Sequence, residues 1–114
     1  GPEAALAWLQ NRPGITSVRS RWLLRLLMAR IAEQTGKNEL AQHLLAELGA
    51  DAAGIPLAQW ETGLLFEVKA RHLRLLRMKA GRSETDKNRL QSAMDRLLAE
   101  LIAIDPARAV VLCA

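Results

Sequence analysis

Large apolar side chains recur along this chain at intervals of three and four residues, the spacing that lines up one face of an α-helix. The strict alternation of a half-buried strand is absent. Glycine and proline cut the pattern into blocks, and the leucine and alanine content between them favours helix. The first block, Glu3 to Arg12, carries Leu6 and Leu9 and stops at Pro13-Gly14; it is short and needs packing to persist. The second starts near Thr16 or Ser17 as caps and runs to Gly36. Its main stripe is Leu23, Leu24, Leu27 and Ile31, while Trp22 and Leu26 project away from it. The third, Asn38 to Leu48, places Leu40, Ala41, Leu44, Leu45 and Leu48 on one side and ends at Gly49. With only Gly36-Lys37 between them, blocks two and three form an antiparallel hairpin resembling a single tetratricopeptide-like unit, with no second copy at a fixed period.

Pro56 favours the start of a long fourth helix reaching about Lys79. Its main face holds Leu57, Trp60, Leu64, Leu65, Val68, Leu75 and Leu76, and Phe66 and Leu73 fall on nearly the opposite side. A helix apolar on both sides is central in a bundle or shared with a partner. Gly81 ends this helix and Ser83 caps a fifth, striped by Leu90, Ala93, Met94, Leu97, Leu98 and Leu101. Asp105-Pro106 opens a short last helix, Ala107 to Leu112. The expected fold is all-α, five to six helices arranged as antiparallel hairpins. At 114 residues the chain has room for one core. Gly1-Pro2 resembles the scar of a cleaved tag, which leaves 3–114 as a single helical domain of a longer protein.

Charge changes the picture little. Sixteen basic against twelve acidic residues give +4, and twelve of the sixteen are arginine, a side chain suited to protein interfaces as much as to phosphate. Arg or Lys interrupts every leucine-rich stretch, so no segment reads as membrane-spanning. The single Cys113 fits a reducing, cytoplasmic setting.

Catalysis has little to stand on. His43 and His72 belong to no metal or nucleophile pattern, no glycine-rich phosphate loop precedes a helix, and no cofactor is implied. Glu61, placed by the pattern on the apolar face of the fourth helix, needs a cation, and an arginine from a neighbouring helix or subunit is the expected structural ion pair. Arg71, Arg74 and Arg77 follow Glu67 as a basic stripe whose commonest form is a solvated, salt-bridged face. Nucleic acid or a protein adaptor is the alternative partner for that stripe; the lack of Tyr and the single Phe disfavour strand stacking. Arg19, Arg21 and Arg25 surround Trp22, and Arg19 lies one turn before it. Arg19 stacked as an intramolecular cap on a core tryptophan is one reading of this pair; the other follows from Trp22, Leu26, Phe66 and Leu73 exceeding what one small interior absorbs, which with Arg19 makes them the expected oligomer interface.

The stretch Ser20-Arg21-Trp22-Leu23-Leu24-Arg25-Leu26, followed by Ala29-Arg30-Ile31-Ala32 and Gly36-Lys37-Asn38-Glu39-Leu40-Ala41, resembles the C-terminal domain of TssA proteins of the ImpA and VasJ type, from the bacterial type VI secretion system. So do Leu57-Ala58-Gln59-Trp60-Glu61, Leu65-Phe66-Glu67-Val68 and Asp105-Pro106-Ala107-Arg108-Ala109; the resemblance runs from about Ala4 to the end. Thr62 stands where the family pattern has a proline after Trp-Glu. The resemblance implies a ring-forming homo-oligomer. It also implies a separate N-terminal region, and a full protein that coordinates baseplate and tail tube and sheath assembly.

Overall fold

Local signals fix several helix ends. In the computed structural model, which describes residues 1–54 and 61–113, α1 spans Pro2–Gln10 and begins on a proline, whose missing N–H costs nothing in a first turn. The Ser17 hydroxyl accepts the Ser20 N–H at 3.0 Å and so caps α2, Val18–Gln34. Gly36, at φ +78°, closes α2: the Lys37 N–H reaches the Ala32 carbonyl at 2.8 Å and the Gly36 N–H reaches Glu33 at 3.3 Å. This is the paired capping bond that a left-handed residue permits. The chain then reverses into α3, Asn38–Asp51, followed by a single 3-10 turn, Ala52–Gly54. α4 is Thr62–Ala80, α5 is Glu84–Ile104 with the Ser83 hydroxyl accepting the Asp86 N–H, and α6 is Pro106–Cys113. No strand occurs among the described residues.

Three boundaries differ from the sequence reading. α3 continues through Gly49, which a helix tolerates at a cost of about 1 kcal/mol relative to alanine. A Cβ there would come to 3.8 Å from the Lys69 Nζ. α4 begins at Thr62, so Glu61 precedes the helix instead of lying on its apolar face. Its backbone (φ −129°, ψ 47°) is not helical, and its carbonyl accepts the first bonds, from Leu64 and Leu65. The predicted start at Pro56, and the placement of Leu57 and Trp60, lie outside the described residues. Pro2, set apart as a scar, lies within α1.

α4 is the shared wall of two cores. Val68 and Leu75, with Leu64 beside them, face the α2–α3 hairpin, where they meet Trp22, Leu26, Ala29, Ala32, Ala41, Leu45 and Leu48. Phe66, Leu73, Leu76 and Ala80 face α5 and α6, against Leu90, Met94, Leu97, Leu101 and Ala109. α1 lies on α2 and buries Leu6 and Leu9. The molecule measures 43 × 33 × 21 Å, its thin dimension equal to about two helix diameters.

This packing corrects the expected interface. Trp22, Leu26, Phe66 and Leu73 are each between 1% and 3% exposed within one chain, so they form core and not an outward patch. On α2 the buried stripe is Trp22, Leu26, Ala29 and Ala32, while Leu27 is exposed and Leu23, Leu24 and Ile31 are half-buried. Small alanines let α3 approach closely, which moves the inward face away from the leucines. The buried Trp22 indole N–H donates to the Leu48 carbonyl at 3.0 Å, an oxygen that the Ala52 N–H also reaches, so the indole is satisfied while the ring fills the core.

Candidate protein-interaction surface

Arg19 and Glu61 meet across the seam between α2 and the start of α4. The Arg19 Nε donates to Glu61 Oε1 at 3.0 Å and a terminal guanidinium nitrogen donates to the same oxygen. Glu61 is largely enclosed, Arg19 about half exposed.

The basic stripe of α4 is engaged with acids and a carbonyl. Arg30 on α2 grips Glu67 through Nε and a terminal nitrogen, both at 2.6 Å, and Arg71 adds a third bond to Glu67 at 2.8 Å. Arg71 also reaches Glu33 at 2.6 Å, and Arg74 donates to the other Glu33 oxygen. Glu33 is the enclosed member, its side chain 6% exposed. Hydrogen bonding from Arg30 holds the Glu67 carboxyl below the usual carboxylate range, against the opposing effect of burial. Arg77 donates to the Leu112 carbonyl at 2.8 Å and so satisfies an acceptor in the last turn of α6.

One turn of charge falls outside what the sequence reading singled out. Arg108, in the first turn of α6, lies over the Phe66 ring with its guanidinium carbon 4.1 Å from the centroid. Arg71, Arg74, Arg77 and Arg108 together border a cleft of about 540 Å³ between α4 and α6, floored by Leu73 and Leu112. Phe66 and Arg108 are 42 positions apart, and no local pattern links them. α6 also leaves apolar surface uncovered: Ala109 is fully buried, but Val110 is 67% and Val111 73% exposed. Other exposed large apolar side chains are Trp8, under the Arg12 guanidinium, and Val18, Leu27, Leu40, Met78 and Ile102.

A second polar cluster lies where α3, α4 and α5 converge. Lys69 is buried there and pairs with Glu100 at 2.6 Å, beside His72, Arg96 and Gly49 around a cavity of about 270 Å³. Burial, and then the Lys69 charge, hold the His72 imidazole below its ordinary range, with Glu100 pulling the other way. Between the ordinary histidine value of about 6.5 and the lower folded value, the unfolded chain binds a proton that the folded chain refuses. Stability is therefore complete above that window and falls as pH drops through it, by no more than about 1.4 kcal/mol per unit. Denaturant melts of the wild type from neutral pH down to about 5 should show this loss, and His72→Gln should flatten it; an unchanged slope in the variant would assign the loss elsewhere.

Among the described residues no helix is long and apolar enough to cross a membrane. The sequence profile of the type VI secretion family whose members include EvfE, EvfF, ImpA, BimE and VasJ matches residues 1–72. A solved TssA C-terminus from the type VI secretion system of EAEC is 68% identical, with a TM-score of 0.94 over 99% of this chain and 86% of that one. A solved C-terminal domain of TssA from the type VI secretion system of Escherichia coli is also 68% identical, covering 100% of this chain and 87% of that one at a TM-score of 0.47. The search of curated proteins returned no match.

Proposed function

This chain belongs to the ImpA and VasJ family and is a TssA C-terminal domain of type VI secretion, and from that premise we propose that it is an assembly domain that associates with copies of itself into a closed ring. The observation that carries the reading is α6, which packs Ala109 and Leu112 against the core and turns Val110 and Val111 outward. Adjacent exposed valines at a helix surface are the kind of apolar patch that association covers. Closed symmetry is the usual outcome for soluble chains that self-associate. A ring acts through multivalency: it offers several tethered copies of an N-terminal region to a symmetric partner and gains avidity with no new contact. The partners, in this reading, are the baseplate and the growing tail tube and sheath, reached from the cytoplasm mainly through that N-terminal region. No catalytic step is assigned to the domain.

Light scattering after gel filtration tests this directly. The purified chain should have a mass several times its own 12.6 kDa, stable across a concentration series. Val110→Asp should lower that mass with helix content unchanged, because a substitution at so exposed a site costs the fold within about 0.5 kcal/mol. A monomer at every concentration sinks the ring. An undiminished mass in Val110→Asp removes α6 from the interface.

A further inference from the structure

The cleft between α4 and α6 has features that self-association through Val110 does not use. Counting the cleft arginines together with Arg30, which shares Glu67, five guanidinium groups stand against two carboxylates, Glu33 and Glu67. The difference, five minus two, leaves three positive charges uncompensated by these acids. Arg71, Arg74 and Arg77 repeat every three residues, so the row extends over about 9 Å of helix axis. Each guanidinium is already held: Arg71 and Arg74 by Glu33, Arg77 by the Leu112 carbonyl, Arg108 by the Phe66 ring. Fixed side chains lose little freedom on binding, so their attraction for an anion is not spent on ordering. The cleft volume of about 540 Å³ falls in the range of ordinary ligand sites.

We propose that this cleft docks an acidic amphipathic helix of a partner protein. A helix that carries carboxylates three or four residues apart presents them at the pitch of the arginine row, with apolar side chains between them to meet Leu112 and Val111. Arginine forks match carboxylates in the same side-on manner that Arg30 already uses on Glu67. Nucleic acid fits less well, since the aromatic ring at this cleft, Phe66, is buried under Arg108 and offers no face for a base. The proposal shares Val111 with the self-association patch but is separable from it, because Val110 does not line the cleft.

The test uses a fluorescein-labelled synthetic helix with glutamates at alternating three- and four-residue spacing and leucines between them, titrated with the intact chain and followed by anisotropy. Saturable binding should weaken as salt rises, and a lysine-for-glutamate version of the probe should not bind. Arg108→Glu should weaken binding about tenfold or more. An acid is acceptable to α6 there, one turn from its N-terminus. Arg74→Gln, which removes charge and little volume, guards against a misfolded variant and should weaken binding several-fold. Both variants should keep the wild-type mass and a cooperative melting transition. Equal binding of wild type and both variants overturns the proposal, as does tighter binding of a DNA probe of similar length. A drop in oligomer mass in Arg108→Glu also overturns it, by making the cleft part of the self-interface, whereas a monomeric chain that still binds the acidic helix would sink the ring alone.

Discussion

Replacing Phe66 with aspartate should unfold the chain, not merely dissociate an assembly. The ring is 2% exposed and sits among Leu73, Leu76, Leu101 and Ala109. Truncating a buried phenylalanine costs about 3–5 kcal/mol through lost transfer energy and the cavity left behind. A carboxylate adds the cost of burying a charge, which Arg108, now stacked over the ring, is placed to meet in part. That new pair would lie near the surface and return about 1 kcal/mol at most. Against a total stability of about 5–15 kcal/mol, the sum removes most of the folded population. Far-UV circular dichroism against denaturant should show little or no native baseline. A variant that melts like wild type but runs at lower mass would return Phe66 to an interface.

The two faces of α4 were legible in the sequence, and their meaning was not. Phe66 and Leu73 oppose Val68 and Leu75 by helical periodicity alone, but periodicity does not say whether the second face meets the same chain or another. α5 and α6 decide it by wrapping back over that face. On α2 the leucine stripe misled because burial followed shape: Trp22, Leu26, Ala29 and Ala32 recur at helical spacing, but alanines weigh little in a count of large apolar groups. Ser17, Gly36 and Ser83 signalled their helix ends, since capping is a local hydrogen-bonding matter. The arginine cleft was half visible. Arg71, Arg74 and Arg77 share one helix, whereas Arg108 and the acid Glu33 arrive from elements 31 or more positions away, and tertiary packing alone brings them together.

Glu33→Ala should be the most damaging change on the polar side of the molecule. Glu33 is nearly enclosed and bridges Arg71 and Arg74, tying the end of α2 to the middle of α4. A charge-assisted hydrogen bond contributes about 1.5–3 kcal/mol, and removing one member of a buried pair costs about 3–5 kcal/mol when the other is stranded. Here the stranding is partial. Arg71 keeps Glu67, and Arg74, 63% exposed at its side chain, turns to water. The expected loss is therefore about 2–3 kcal/mol, or about 10 °C in melting temperature for a domain of this size. Arg74→Ala should cost less than about 1 kcal/mol, since only the exposed arm goes. That asymmetry within one ion pair is the measurable signature, read from thermal melts of the two single variants and the double. Equal small losses would mean that the bridge is only a surface contact. Should the asymmetry hold, Glu33→Ala also releases Arg74 from its fixed position and leaves Arg71 tied to Glu67 alone. Its affinity for an acidic helix should then fall although the cleft has gained net positive charge, an outcome that a cleft attracting its ligand by charge alone would reverse.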